Sequence, residues 1–318
     1  MSYAAAYTLY NYRYQDPAMG YSQYSNLRLI RAFEKGLDPA SSEAGFVLTH
    51  VDMVKHSPAL IQGATRILDK IEDSVRTNSS ADREGVNQGL EIMLEAMRKI
   101  ETAMETMWSN SLPKDYSAYR TFIFGITNQS MFPTGVVYEG HNENRPMFFR
   151  GESGANDSMI PLLDHLLEIP MPLNPLTTIL KEFRSYRPRP HRQFLSFVMS
   201  KATEIGVAAY CRADPTTAVL YLRLLDHVRS FRWRHWLFAR EYIIRRSKHP
   251  TATGGSPIVT WLPNQLLAVM DLMLDVYQRS GLMEIEQSRG LEEMIDNVQE
   301  QRVKLDKEVQ KWCQERGV

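Results

Sequence analysis

Residues 220–256, LYLRLLDHVRSFRWRHWLFAREYIIRRSKHPTATGGS, decide how the chain reads. Placed on a helix, the apolar residues of the first two-thirds fall at Leu220, Leu224, Val228, Phe231, Phe238 and Tyr242, mostly three or four apart. That spacing predicts the buried face of a long amphipathic helix. His235 fills the gap between Phe231 and Phe238, so the pattern places an imidazole inside a core-facing stripe, where desolvation disfavours its charged form. A neutral imidazole is a good metal ligand, and an axial position on haem iron is one use of it. A core histidine satisfied by a single hydrogen bond is the ordinary alternative.

The rest of the chain reads as helices around this one. The first fifteen residues are tyrosine-rich and predict a helix ended by Asp16-Pro17 and Gly20; Asn26 then predicts a cap on a short helix, LRLIRAFEKG. GFVLTHVDMV (45–54) is open between strand and helix, and a helix with Pro58 in its first turn follows to about Arg76. From Ser80 to Asn110 the stripe Val86, Leu90, Met93, Met97, Ile100, Met104 and Met107 marks the cleanest helix. Its methionines read as core rather than as an adaptable binding surface. From Pro113 to about Pro175 the pattern breaks into loop or small hairpin, until Ser158 opens the helix MIPLLDHLLEI. Helices follow at 176–186 and 191–206, and one with Pro263 near its start reaches Ser280. The tail from Glu284 to Glu315 is charged, with a sparse stripe of Leu291, Met294, Val298, Leu305, Val309 and Trp312. It reads as a helix packed by one edge, or as a short coiled coil interrupted by Arg302. The expected class is all-α: a helical domain over 1–282 and a charged, packed helical extension over 283–318.

Composition narrows the function. Lys plus Arg (37) equals Asp plus Glu (37), so no net field draws the chain to nucleic acid or anionic lipid. No apolar run has the length of a membrane span, and the N-terminus lacks the charged start of a secretory signal. Cys211 and Cys313 stand far apart, giving neither zinc spacing nor a disulfide framework, so the chain is expected in the cytoplasm.

Four local features bear on chemistry. Arg229 and Arg232 precede His235 by six and three residues, and Arg232 lies one turn away on the same side, within reach of an anion beside whatever His235 binds. Asp164 falls among Ile160, Leu163 and Leu167, where a carboxylate needs a partner; the outer nitrogen of a metal-bound His235 is one. Arg120 precedes the apolar TFIFG, where a guanidinium can clamp a carboxylate with two parallel bonds. RGESGAND (150–157) and TATGGS (251–256) let backbone approach a ligand closely, but neither has dinucleotide or phosphate-loop spacing. Taken singly, each also reads as an ordinary surface or structural feature.

In sequence order, GFVLTHVDM, YRTFIFG, VVYEG, FFRGESGA, SYRPRPHRQFL, RWRHW and ATGGSPIVTWLPNQL resemble the indoleamine 2,3-dioxygenase family, from about Tyr7 to Tyr277. The resemblance implies the multi-helical haem-binding large domain of that family. It also implies an enzyme that inserts both atoms of O₂ across the indole C2–C3 bond of L-tryptophan or a related indole, giving N-formylkynurenine. It implies haem b with His235 as proximal iron ligand, Arg232 at a haem propionate and Asp164 behind the proximal histidine. Arg120 is implied as the substrate carboxylate clamp. Phe46 and His50 are implied on the distal side, Ser153 and Gly154 in the loop over the haem face, and Thr253 and Gly254 in the loop that closes on substrate. His50 stands where some members have serine, and it is expected to shape the pocket and hydrogen-bond rather than abstract a proton. The stretch that members usually carry ahead of SYAAAYTLYNYR, a smaller helical domain, is expected to be lacking. The competing expectations are a haem enzyme acting on another indole, and a non-catalytic haem-binding paralogue that self-associates, or pairs with a full-length relative, through Glu284–Glu315.

Overall fold

A computed structural model describes residues 8–77, 83–151, 157–247, 258–282 and 290–316. The N-terminal segment departs from expectation. Tyr12–Tyr14 (β1) and Leu27–Leu29 (β2) pair antiparallel, Tyr12 opposite Leu29 and Tyr14 opposite Leu27, where the sequence predicted two helices. Two polar side chains account for this. Asn26, expected to cap a helix, instead accepts from the Asp16 amide at 2.8 Å and donates to the carbonyls of Asp16 and Gly20, closing the turn between the strands. Glu43, 3% exposed, gathers the amides of Phe33, Glu34, Lys35 and Gly36 at 2.5–3.0 Å. A buried carboxylate is tolerated only with such partners, and donating these amides to it takes RAFEKG out of a helix.

The ambiguous GFVLTHVDMV is helical: α1 runs Ser42–Val54, capped by the Ser41 hydroxyl on the Ala44 amide. Its Ala44, Val47, Leu48 and Val51 pack under Leu27 and Leu29 of the ribbon. α2 (Ser57–Thr77) and α3 (Arg83–Glu105) lie side by side, and a Cβ on Gly63 would sit 2.7 Å from the Gly89 carbonyl. Every member of the predicted α3 stripe, Val86 to Met104, is buried, as is Met107 at the start of the short α4 (Met107–Asn110). The methionines are core. α5 (Tyr116–Arg120) then leads into short 3-10 turns and a single bridge between Val136 and Met147, the predicted loop and hairpin.

α6 (Met159–Leu166), α7 (Pro175–Phe183), α8 (Arg189–Ile205) and α9 (Val207–Arg212) follow, with Gly206 at φ +67° making the left-handed corner between the last two. α10 (Pro215–Phe238) starts at Asp214, whose carboxylate accepts from the Thr217 amide at 2.9 Å, and ends in a π-helical turn, Ala239–Ile244. In its first half Ala218, Val219, Tyr221, Leu222, Leu224, Leu225 and Val228 are all buried, so this helix is apolar nearly all round. That marks a central element rather than a one-faced surface helix. It lies against α3, α9 and α11 (Ile258–Arg279). α12 (Leu291–Arg316) packs on α11. Leu291, Ile295, Val298 and Leu305 are buried there, each contributing roughly 1.5–3 kcal/mol of apolar burial. The seam that a coiled coil with another chain would use is thus covered from within.

Candidate functional site

His235 lies on the last full turn of α10, between the buried Trp233 and Trp236. The stripe placed its ring inside the core; instead His235 is exposed, although protein crowds around its ring. The reason is local: buried Trp233 and Trp236 take the packed face, leaving the residue between them turned aside. Crowding by protein, then the nearby charges of His50 and Arg232, hold its pKa down to about 4. At neutral pH it is an uncharged imidazole, and neither ring nitrogen bonds to a described residue. Such a group has a lone pair to give to a metal.

Arg232, one turn earlier, is engaged with Asp164. Arg232 Nη2 donates to both oxygens of Asp164, at 2.7 and 2.8 Å, and Nη1 to the Gln265 carbonyl at 3.0 Å. Asp164, expected behind His235, therefore pairs with Arg232 instead, in one buried ion pair joining α10 to α6. The physical reason is that a carboxylate in this position gains more from a full counter-ion than from a neutral ring. Burial still outweighs the attraction, holding the Asp164 pKa above the ordinary carboxylate value.

α1 brings Phe46 and His50 to the same region, as the influence of His50 on His235 requires. His50 Nδ1 lies 2.8 Å from the Phe46 carbonyl. A carbonyl only accepts, so Nδ1 carries the proton and Nε2 the lone pair. Burial depresses the His50 pKa and keeps that tautomer neutral. The Phe46 ring packs against His50 (4.9 Å between centroids), Tyr116 (5.3 Å) and Tyr119 (5.9 Å). Arg120 ends α5, 5% exposed, with its guanidinium 4.7 Å from the centre of the Phe124 ring and a hydrogen bond to Tyr116. Tyr242, in the turn after α10, stacks edge-on to Tyr116 at 5.6 Å and donates to the carbonyls of Met107 and Ser111. α1, α5 and the end of α10 thus share one aromatic cluster.

Two glycines fix these pieces by backbone contact. A Cβ on Gly45 would lie 1.7 Å from the Asn110 carbonyl oxygen, so α1 meets α4 where only glycine fits. A Cβ on Gly125 would lie 2.0 Å from the Gly151 amide, which sets the segment after Arg120 against the start of the 150–157 loop. Arg187 holds the other end of that loop through the Asp157 carbonyl at 2.9 and 3.2 Å. Ser153, Gly154, Thr253 and Gly254 lie outside the described residues. Sequence reasoning missed Tyr116, Tyr119, Gln265 and the role of Tyr242: Tyr119 and Gln265 stand in the quoted stretches YRTFIFG and ATGGSPIVTWLPNQL but without an assigned role, and Tyr116 stands in no motif. Among the described residues no three His, Cys, Asp or Glu side chains gather to hold a bare metal ion, and no helix is long and apolar enough to cross a membrane. Haem iron needs a single protein ligand, and one open neutral imidazole is present.

The chain spans about half to three-fifths of the length of the curated relatives it matches. It is 26% identical over 269 residues to an indoleamine 2,3-dioxygenase of Saccharomyces cerevisiae, covering 79% of this chain and 56% of the relative. It is 25% identical over 258 residues to indoleamine 2,3-dioxygenase 1 of Mus musculus, 80% of this chain and 60% of the relative. A third relative, a 6-hydroxytryptophan 2,3-dioxygenase of Fusarium equiseti, is 28% identical over 159 residues, 48% of this chain and 38% of the relative. The profile of the family described as indoleamine 2,3-dioxygenase matches residues 1–260, a span holding α1, α5, α6 and α10 and so every element of the cluster around His235. On that match, with the all-helical fold beneath it, the chain belongs to the indoleamine 2,3-dioxygenase family.

Proposed function

We propose that this chain is a haem-dependent dioxygenase acting on L-tryptophan or a closely related indole, in the cytoplasm, with His235 as the protein ligand to iron. The observation that supports it most is the pairing of two neutral imidazoles near one another on α10 and α1, with a buried guanidinium on α5 joined to the same aromatic cluster. The residues fit the group: His235 offers a neutral, accessible nitrogen, and the Arg232–Asp164 pair steadies the turn before it. Bound there, haem b would supply the iron that activates O₂ for insertion across the indole C2–C3 bond.

The chain's own residues supply recognition and orientation. Arg120 is cationic, desolvated and backed by Phe124, so it binds an amino-acid carboxylate as a two-pronged donor. Phe46 and Tyr116 offer aromatic faces for an indole. His50 Nε2, the acceptor nitrogen of its ring, accepts the indole N–H; with its pKa depressed it orients that group and takes no proton. Positioning of this kind can supply several kcal/mol of the barrier without any acid–base step.

The test is to load the purified chain with haem, reduce it, and follow the absorbance of N-formylkynurenine on adding L-tryptophan in air. Product formation that disappears in Arg120→Ala is the expected result. A folded chain with no Soret band overturns the reading. The name of the Fusarium relative favours a second substrate, a ring-hydroxylated tryptophan. Turnover of 6-hydroxytryptophan but not of tryptophan in the same assay selects it.

A further inference from the structure

α12 lies wholly beyond residues 1–260, the span of the family match, and the proposed function gives it no role. Its contacts with the haem-binding helix are nevertheless specific. Gln301 accepts from Arg229, and Lys304 lies 5.7 Å from the centre of the Trp233 ring. Glu308 divides its two oxygens between the Trp236 indole N–H (2.7 Å) and Arg240 (2.6 Å). Arg316 donates to the Ile244 and Ser247 carbonyls at 2.7 and 2.6 Å, capping the end of the π-helical turn. The partners on α10 and its π-helical turn, Arg229, Trp233, Trp236, Arg240 and Ile244, step by threes and fours and so form one face. At 100° per residue that face lies roughly 140° round the helix from His235.

We infer that α12 is a brace that fixes the rotation of α10 about its own axis, and that Glu308 is the positioning residue through which it aims His235. The inference rests on His235 being the iron ligand. Trp236 adjoins His235 directly, so holding the indole in one direction holds the imidazole in another. At a side-chain radius of about 5–6 Å, a 10° roll moves a ring tip by roughly 1 Å, a looseness that sites of this kind do not tolerate. Trp236 is 1% exposed and Glu308 half-buried, so these are charge-assisted bonds at least partly shielded from water. Arg316 also lies near enough to Arg120 for their charges to oppose one another, so the brace extends from the proximal helix to the substrate end of the site.

The test compares the full chain with Glu308→Ala, Glu308→Gln and Arg302→Ala. Arg302 serves as a control because it pairs from the same helix with Asp271 of α11, both half-exposed. In haem-free protein, amide hydrogen exchange over 233–247 is expected to rise at least tenfold in Glu308→Ala and less in Glu308→Gln, which keeps one acceptor. It stays at the parent rate in Arg302→Ala. With haem added, the dissociation constant rises about tenfold in Glu308→Ala and the iron–histidine stretch of the reduced form shifts. Parent-like exchange and haem affinity in Glu308→Ala overturn the brace. So does loss of protection throughout the chain, which makes Glu308 a general stabiliser. If the parent takes up no haem, the functional reading falls while the exchange comparison still decides the brace.

Discussion

Removing either half of the Arg232–Asp164 pair is the sharpest perturbation the structure offers. The side chains are 12% and 9% exposed and share two hydrogen bonds, so Asp164→Ala strands a guanidinium and Arg232→Ala strands a carboxylate. Breaking a buried pair from one side costs about 3–5 kcal/mol. The residual exposure and the Gln265 carbonyl, which still accepts from Arg232, put Asp164→Ala at the lower end. At roughly 2–4 °C per kcal/mol for a chain of this general size, a 3 kcal/mol loss lowers Tm by about 6–12 °C. The double replacement Asp164→Leu with Arg232→Met behaves differently. Because burial outweighs attraction at Asp164, holding its pKa up, the pair gains little over apolar side chains of similar size. The double variant is expected within about 1 kcal/mol of the parent. Urea unfolding of haem-free protein, followed by far-UV circular dichroism at pH 7, compares the parent, the two single variants and the apolar double variant. Single variants within about 0.5 kcal/mol of the parent, or an apolar double variant as unstable as the two alanine variants summed, refute this account.

Four further outcomes follow from the geometry. Gly45→Ala sets a methyl 1.7 Å from a backbone oxygen that cannot move without α4, so it lowers stability by about 1–3 kcal/mol in thermal unfolding. Arg120→Lys replaces a two-pronged donor with a point charge, and steady-state kinetics should show kcat/KM for tryptophan reduced about 10- to 100-fold. His50→Ala removes an acceptor worth about 1 kcal/mol, lowering turnover roughly fivefold while haem titration stays unchanged; loss of haem uptake contradicts an orienting role. His50 and His165 both titrate below the usual 6.5, His165 at about 4 through burial and then the charges of Arg184 and Arg187. At these two sites the unfolded chain binds protons first, so their contribution to stability falls as pH drops from 6.5 towards 4, by about 3 kcal/mol at most from His165, while Asp157, raised to about 6 by burial, contributes with the opposite sign. A His165 ring that titrates near 6.5 in an NMR pH series refutes the assignment.

The long helices could be read from the sequence because burial follows a local period, as in Val86 to Met104 of α3. The N-terminal ribbon could not. Its tyrosines suit strand or helix alike, and the choice is made by Asn26 and Glu43 reaching across turns. The same limit shaped the site. Periodicity announced that Asp164 is buried, but its partner lies 68 residues away on another helix, and no spacing rule selects a guanidinium over an imidazole at that range. The stripe through His235 was misleading in one respect, since it assigned the ring to packing when Trp233 and Trp236 do the packing and the histidine faces open space. Glu308 was hidden more thoroughly, because a glutamate in a charged helix looks like any solvated one until the indole N–H it holds is seen.

What the assembled site does electrostatically is narrower than its residue list suggests. His50 and His235 each have a depressed pKa, and a charge on His50 opposes one on His235, so at neutral pH both rings are uncharged. One then has a lone pair to give to a metal and the other a lone pair for an N–H, with no proton exchanged between them. Asp164 is neutralised by Arg232 within the fold. Of the residues that meet in this cluster, Arg120 is the cation to which the proposed function gives recognition, with Arg316 of the brace near it. A ligand that brings a carboxylate at one end and an apolar ring with a single N–H at the other meets each of these groups once. An indole without a carboxylate forgoes the charged contact, so on this arrangement tryptophan should bind better than indole by more than its extra apolar area accounts for.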